Sequence, residues 1–201
     1  MKSNKGFSLV EILIVVAIAA SLVIVASNFS GNVSGLNTLI SQQLQSKSDT
    51  GATLQIITSE IRSASPSQNG AYPIDAASTS SFAFYSDINK DGRTEHIRYF
   101  LSSSTIYKGV IAPTGTPATY PTSSEVVTDI IDGVTTQSST PLFSYYDANY
   151  TGSQPRLSTP VNVSNVRLVG ISFFSSAGSP QQAAPPQYFS ALIDIRNLRS
   201  N

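Results

Sequence analysis

The chain opens with MKSNKGFSLVEILIVVAIAASLVIVASNF (residues 1–29), and this stretch decides its architecture. Between residues 7 and 26 the only polar side chains are Ser8, Glu11 and Ser21. A helix crosses the hydrocarbon core of a bilayer with about 20 apolar residues, each adding 1.5 Å. Residues 7–29 are therefore predicted to form a membrane-spanning helix.

Two lysines, Lys2 and Lys5, flank the start of this segment. Basic residues at one end of a span favour retention of that end in the cytoplasm. The N-terminus is therefore expected on the inner side of the cytoplasmic membrane, and the remainder of the chain on the outer side.

Two general classes of N-terminal segment share some of these features. A secretory signal peptide could be cleaved after Ala17-Ile18-Ala19, but its apolar region spans about 7–15 residues. The apolar run here continues to Ala26. A plain single-span anchor accounts for the length and the lysines, but it leaves the cost of placing Glu11 in a bilayer unexplained.

The heptapeptide Lys5-Gly6-Phe7-Ser8-Leu9-Val10-Glu11 resembles the prepilin peptidase site of type IV pilins and type II secretion pseudopilins. The resemblance extends from Met1 to about Phe29. It implies cleavage between Gly6 and Phe7, so that residues 1–6 form a leader peptide, followed by N-methylation of the new Phe7 amine. It also implies that Glu11 pairs with the N-terminal amine of a neighbouring subunit during assembly.

The resemblance implies a structural subunit of a type IV pilus or related pseudopilus, and not an enzyme. The stretches Tyr85–Arg93 and Ile195–Leu198 are similar to those of larger minor pilins, which favours a minor subunit. The implied partners are other pilin subunits, the prepilin peptidase, the inner-membrane assembly platform and the membrane. The expected location is the cytoplasmic membrane for the single-pass precursor, and then an extracellular or periplasmic filament.

A protein of a different class is also compatible with the apolar segment, namely a monomeric, single-span, membrane-anchored surface binding protein. Such a protein needs neither cleavage nor Glu11, whose carboxylate could then extend to the membrane interface. Ionisable side chains inside a membrane usually carry a function, so assembly is the preferred role of Glu11.

Apolar residues continue beyond the span at intervals of three and four residues, which is the period of an amphipathic helix. They are Phe29, Val33, Leu36, Ile40, Leu44, Leu54, Ile57 and Ile61. The first proline is Pro66, and the residue before a proline disfavours helix. One helix is therefore predicted from about Phe7 to Ser63, with residues 30–65 as its amphipathic continuation.

Residues 66–201 change in composition to Gly, Pro, Ser and Thr around short apolar runs, which predicts a β-rich globular head. Strands are expected at residues 81–87, 94–101, 104–110, 142–146, 166–174 and 188–195. In the fifth strand, Val166 and Leu168 alternate with Arg167, and Ile171 and Phe173 follow, as in a half-buried strand facing the helix. The predicted fold class is α+β, with a long helix packed on an antiparallel β-sheet head.

The charge and cysteine content of the chain exclude several functions. Twelve basic side chains balance twelve acidic ones, and charged residues make up 12% of the chain, against about 25% in an average soluble domain. This balance provides no evidence for nucleic-acid binding, which depends on a basic surface. There is no cysteine, so disulfides and cysteine-ligated metals are excluded. The sequence also contains neither a nucleophile elbow nor a phosphate-binding loop.

The segment Asp87-x-Asn89-x-Asp91-Gly92 matches the first half of a calcium-binding loop, in which oxygen ligands alternate along the chain. Glu95 occupies the ninth position of that loop. The twelfth position is Arg98, where a bidentate carboxylate is needed.

The same segment connects two predicted strands, and Asp91-Gly92 supplies the positive-φ residues that a hairpin turn requires. A polar turn is therefore preferred to a metal site. Weak calcium binding by Asp87, Asn89 and Asp91 is the alternative, and no other cofactor is expected.

His96 is the only histidine in the chain. Its neighbours Glu95 and Ile97 point to the opposite face of the predicted strand, so they form no metal cluster or catalytic pair with it. His96 is therefore interpreted as an ordinary strand residue.

Three tyrosines, Tyr145, Tyr146 and Tyr150, cluster near Asn149. They could form a recognition surface, because tyrosine combines a large apolar ring with a polar hydroxyl. Aromatic residues in a β-rich head are more often part of the core, and burial is the preferred interpretation.

Overall fold

The structure is a computed structural model, which describes residues 8–137, 139–176 and 186–198. Helix α1 spans Leu9–Arg62, which confirms the prediction of one long helix. Just beyond the end of α1, the N–H of Ala64 donates to the carbonyl of Ile61. Ala64 lies two residues before Pro66. The chain divides between Leu44 and Gln45 into two compact units.

The first unit contains the apolar part of α1. From residue 8 to residue 44, every side chain of described exposure is exposed. The helix includes a window of mean hydropathy 3.0 that is long and apolar enough to cross a membrane. Leu9 and Phe29 are 76% and 68% exposed. The described residues of this unit therefore form no buried core of their own.

The last part of α1 belongs to the second unit and packs against its sheets. Leu54, Ile57 and Ile61 are 9%, 1% and 0% exposed. The earlier members of the predicted apolar face are 39% to 68% exposed, namely Phe29, Val33, Leu36, Ile40 and Leu44. The predicted face is therefore buried by this chain only in the second unit.

Five antiparallel strands form the first sheet, in the order β1-β2-β3-β4-β5. They are β1 (Ile74–Ala77), β2 (Ser81–Ser86), β3 (Glu95–Ser102), β4 (Thr105–Ile111) and β5 (Val126–Ile131). Each strand pairs with the next one along the chain, so the sheet is a meander.

The second sheet is built around β8 (Leu168–Ser175). Along its whole length β8 pairs antiparallel with β9 (Gln187–Asp194). Its other edge pairs with β7 (Phe143–Tyr146) and with the short β6 (Val134–Thr135). The predicted α+β class, with a long helix packed on antiparallel sheets, is confirmed.

All six predicted strands are present, with bounds that differ by at most two residues. The predicted phase of β8 is wrong at its start. Val169, Ile171 and Phe173 face the core, whereas Leu168 is only half-buried. Val166 is buried but precedes the strand, because its N–H donates to the carbonyl of Val163 in a short helical turn. This turn shifts the alternation by one residue.

One hydrophobic core joins α1 to both sheets within the second unit. The ring of Phe82 in β2 lies 5.9 Å from that of Phe143 and 5.7 Å from that of Tyr145, both in β7. The hydroxyl of Tyr145 donates to the carbonyl of Ser78 at 2.7 Å, so this buried polar group is satisfied. These contacts fix the second sheet against the first.

A partly buried polar contact links α1 to the first sheet. The Glu60 carboxylate accepts hydrogen bonds from the Tyr99 hydroxyl at 2.5 Å and from Lys108 Nζ at 2.6 Å. Burial, followed by the nearby Glu60 charge, raises the pKa of Tyr99 far above its usual range, so its hydroxyl keeps its proton and donates. Together with the buried Leu54, Ile57 and Ile61, this contact fixes which face of α1 meets the first sheet.

Candidate functional site

The candidate assembly site lies at the start of α1. Glu11 is in the first turn, where the N–H of Ile12 donates to the carbonyl of Ser8 at 3.2 Å. A carboxylate in the first turn is stabilised by the positive end of the helix dipole. Gly6 and Phe7, the residues of the predicted cleavage site, lie outside the described residues.

Glu11 is electrostatically isolated along the helix. The sequence has no Asp, Glu, Lys or Arg between Glu11 and Lys47. The flanking Val10 and Ile12 are 62% and 55% exposed, so a lipid or another protein is needed to cover them. The hydroxyl of Ser21, further along the span, donates to the carbonyl of Ile18 at 2.7 Å and needs no other partner. Glu11 is therefore the one charged group of an apolar surface.

The predicted calcium residues come together in the loop between β2 and β3. The carboxylate of Asp87 accepts the N–H groups of Asp91 and Gly92 at 3.1 and 2.9 Å. The Asn89 side-chain oxygen also accepts a hydrogen bond from the N–H of Asp91, at 3.0 Å. The carboxylate of Asp91 accepts one from the N–H of Arg93, at 2.8 Å. The three side chains are thus turned toward the backbone of their own loop, which stabilises it as a turn.

The backbone of this loop differs in one detail from expectation. Gly92 has a φ of 85°, as predicted, but the second positive φ is 61° at Lys90 rather than at Asp91. Within the described residues, no group of three or more His, Asp or Glu side chains has the arrangement of a metal site. Weak calcium binding by Asp87, Asn89 and Asp91 remains a prediction.

Glu95, the ninth residue of the calcium-loop motif, is a buried carboxylate, and its burial was not predicted. It is 4% exposed, and its Oε2 accepts the N–H of Ile88 at 3.1 Å. Burial raises the pKa of Glu95, the hydrogen bonds of its carboxylate oppose the shift, and the charges of Asp91 and Asp87 add to it. Glu95 shares the buried face of β3 with Ile97 and Tyr99, and this alternation could have indicated its burial from the sequence.

Arg98, the residue at the twelfth loop position, is engaged elsewhere. Its Nε and Nη2 donate to the two carboxylate oxygens of Glu125 at 2.9 and 2.8 Å, and its guanidinium lies 4.0 Å from the centre of the Phe100 ring. A Cβ on Gly109 would lie 2.0 Å from Glu125 Oε1, so glycine provides the space for this paired carboxylate.

His96 has a partner that the sequence did not suggest. Its Nε2 lies 3.0 Å from Asp75 Oδ2, and its ring meets that of Tyr85 edge to face at 5.1 Å. Asp75 lies in β1, a strand that was not predicted, so the pair crosses β2 to link the first and third strands. His96 is therefore a strand residue, as predicted, and it also makes a cross-strand contact within the sheet.

The tyrosine cluster divides between the two faces of the second sheet. Tyr145 is 2% exposed and belongs to the core, which confirms the preferred interpretation for this residue. Tyr146 and Tyr150 are only half-buried, and their ring centres are 4.1 Å apart on the other face. For these two residues the prediction of core burial is wrong. Tyr146 follows Tyr145 in β7 and so points to the opposite face, and Tyr150 lies in the loop after β7, where it packs on Tyr146.

Comparison with known proteins identifies the start of the chain. Residues 1–27 match the family model described as the prokaryotic N-terminal methylation motif. No curated protein matches the chain. The match and the long apolar helix fit a membrane-anchored precursor, and the motif implies processing by prepilin peptidase and assembly with other pilins. The chain thus begins with the type IV prepilin signature and continues into a helix that is long and apolar enough to cross a membrane.

Proposed function

We propose that the chain is a minor structural subunit of a type IV pilus or related pseudopilus. The observation that carries this proposal is Glu11, the one charged side chain of the exposed apolar part of α1, placed directly after a prepilin cleavage motif. Cleavage before Phe7 would create a positive amine four residues from Glu11. The carboxylate of one subunit and the amine of the next can then form an ion pair.

The ion pair explains why a carboxylate is retained in an apolar segment. Charges attract strongly where water is excluded, and each charge is costly there without its partner. Glu11 would therefore disfavour the isolated membrane form and favour the packed filament. Because each carboxylate must meet one amine, the pair would also set the axial register of neighbouring helices.

The exposed surface of α1 supports the same role. Before assembly, lipid would cover the apolar residues of the span, and in a filament neighbouring helices would replace the lipid. The precursor is then a single-pass protein with its N-terminus inside, and the prepilin peptidase and the inner-membrane assembly platform act on it there. The β-rich head faces outward, in an extracellular or periplasmic filament. The proposal that the chain is a minor subunit rests on the resemblance of Tyr85–Arg93 and Ile195–Leu198 to minor pilins.

The test replaces Glu11 and follows the subunit in cells. Glu11→Ala makes the span more apolar, and acidic residues at the centre of a span cost about 2.5–3.5 kcal/mol on insertion scales, with a smaller cost near the end. Insertion and cleavage should therefore persist, while the variant accumulates as a processed membrane monomer with little filament-associated material. Quantitative blotting of sheared filaments against membranes measures this ratio.

Two controls separate charge from shape. Glu11→Gln keeps the size and hydrogen-bonding reach of the side chain and removes its charge, so it should fail in assembly like Glu11→Ala. Ser21→Ala changes a polar residue that is bonded within the same helix, and it should assemble normally. Wild-type incorporation of both Glu11 variants would contradict the proposal and favour a monomeric anchored binding protein.

A further inference from the structure

A groove of about 560 Å³ lies on the outer face of the second sheet, where β7, β8 and β9 meet the loop after β7. Its volume falls within the range of about 300–1,000 Å³ that is usual for ligand pockets. It belongs to the second compact unit, and the proposed filament role gives it no function.

The middle of the groove floor consists of small residues, bordered by Leu192 of β9, which pairs with Gly170 and is 49% exposed. Gly170 in β8 lies opposite Ser144 in β7, and Ser172 in β8 lies opposite Ser190 in β9. Outward positions of a sheet more often carry β-branched or aromatic side chains. The small residues leave space in the middle of the sheet and line it with hydroxyl groups.

Aromatic rings stand at both ends of this floor. Tyr146 and Tyr150 form one wall, and a Cβ on Gly170 would lie 3.5 Å from Cε2 of Tyr146. Tyr188 forms the other wall, is 52% exposed and is held by the ring of Phe174 at 5.1 Å between centres. Rings fixed in this way bind a ligand at little cost in side-chain entropy.

One cation, Arg156, lies at the rim. Its Nη1 donates to the carbonyl of Ser139 at 3.2 Å, which orients the guanidinium. No ion pair among the described residues includes Arg156, and no Asp or Glu lines the groove. A guanidinium carries five N–H donors, so donors remain available for an anionic group.

We propose that this groove binds an acidic oligosaccharide. The tyrosine rings suit the apolar C–H face of a pyranose, the floor hydroxyls suit sugar hydroxyls, and Arg156 suits a carboxylate. A proline-rich peptide, the main alternative for a tyrosine-lined groove, binds to apolar slots between aromatic rings rather than to a floor of serine. The proposal does not depend on assembly into a filament.

The test uses the full chain in a zwitterionic detergent without sugar groups, so that the detergent does not compete. Two acidic probes, a galacturonic acid trimer and sialyllactose, are compared with the neutral galactose trimer and lactose. The chain has nine tyrosines and no tryptophan, so tyrosine fluorescence can report binding alongside calorimetry. An acidic probe should bind more tightly than its neutral counterpart.

Two variants address the floor and the charge separately. Gly170→Val places a good strand former in the floor and should abolish binding. Arg156→Gln should weaken binding of the acidic probes by about tenfold or more and leave the neutral ones unchanged. Arg196→Gln, at an exposed arginine outside the lining of the groove, is the matched control and should bind as wild type.

Several outcomes would overturn the proposal. These are the absence of binding at millimolar concentrations of every sugar, unchanged binding by Gly170→Val, or no effect of Arg156→Gln on the acidic probes. Tighter binding of an oligoproline peptide than of any sugar would assign the groove to peptides instead. If circular dichroism shows that Gly170→Val is unfolded, Ser190→Tyr, on the exposed edge strand, blocks the same space and decides the question.

Discussion

Glu11 and Glu95 show how differently one residue type can be used in this chain. Glu11 lies on a surface that the chain itself leaves uncovered, so its role depends on a partner. Glu95 is 4% exposed and accepts a backbone N–H from the loop before it. The first is an intermolecular group in the proposed filament, and the second is part of the fold.

Replacing Gly6 by a larger residue should block processing. Gly6→Leu adds a branched side chain at the residue that the resemblance to prepilins places directly before the cleaved bond. We expect the precursor to insert normally and to remain at full length in the membrane. Mass spectrometry of the N-terminus should find methylated Phe7 in wild type and an uncleaved leader in the variant. Normal cleavage of Gly6→Leu, or a wild-type start after Ala19, would contradict the assignment.

Glu95→Gln should change stability in a pH-dependent way. Burial raises the folded-state pKa of Glu95 above its ordinary value of 4.5, so folding favours the protonated form. That stability is present below pH 4.5 and is lost as the pH rises through the folded-state pKa. Glutamine resembles the protonated form. The variant should therefore be at least as stable as wild type at pH 7, with the difference shrinking below pH 4.5, as measured by urea unfolding.

Glu125→Gln is the matched control for this measurement. It removes the charge that pairs with Arg98, so it should lower stability at pH 7. A pH-independent effect of Glu95→Gln would contradict the argument.

All samples for these unfolding measurements contain a chelator, because we expect weak calcium binding at most in the neighbouring loop. Tight binding in a calorimetric titration with calcium would overturn the interpretation of that loop as a polar turn.

At the scale of elements, α1 has two different surroundings within one continuous helix. Its first part is exposed and, up to Ala26, almost entirely apolar, whereas its last part buries one face against the sheets. Ile56 and Ile57 illustrate the contrast, because these adjacent isoleucines are 56% and 1% exposed. Hydrophobic burial therefore holds only the last part of α1 in place in the isolated chain.

The two isoleucines provide a matched pair of variants. Ile57→Ala removes core atoms and leaves a cavity, so we expect a loss of about 2–5 kcal/mol in the free energy of unfolding. Ile56→Ala changes a side chain that lies mostly in solvent and should alter stability by less than about 0.5 kcal/mol. Thermal and urea unfolding of both variants, followed by circular dichroism, measures the difference. Equal effects of the two substitutions would contradict the assigned face of α1.

At the scale of the whole molecule, the chain consists of an apolar helical unit and a compact unit that contains the core. Every buried apolar side chain of the described residues lies at Leu54 or later. The core cluster likewise begins at Leu54 and ends at Leu198. The stability of the head should therefore depend little on residues before Gln45.

A chain that begins at Gln45 tests this division. We expect its urea unfolding to remain cooperative, with a free energy within about 1 kcal/mol of the full-length value, since no described core residue is removed. Both chains are measured in the same detergent, so that the solvent is identical. Loss of the cooperative transition would show that the first unit is required for the fold of the second.

The features that the sequence determined by itself depend on neighbouring residues. The prepilin motif, the apolar run and the three- and four-residue spacing of apolar side chains are local patterns, and they were sufficient to predict α1 and to recognise the type IV prepilin signature. The strands with strong β-formers were also predictable. Strands β1, β5 and β6 were not predicted. The β-branched residues of β5 (VVTDII) were a usable signal for that strand, whereas the short β1 and β6 are held by pairing with neighbouring strands.

Only the tertiary structure decided which distant residues meet. It paired His96 with Asp75, buried Glu95, joined Glu60 to Tyr99 and Lys108, and divided Tyr145 from Tyr146 between two faces of one sheet. The groove around Gly170 also exists only once β7, β8 and β9 are in register. Such contacts depend on the pairing of segments far apart in the chain, and a local pattern specifies the form of each segment but not its partner.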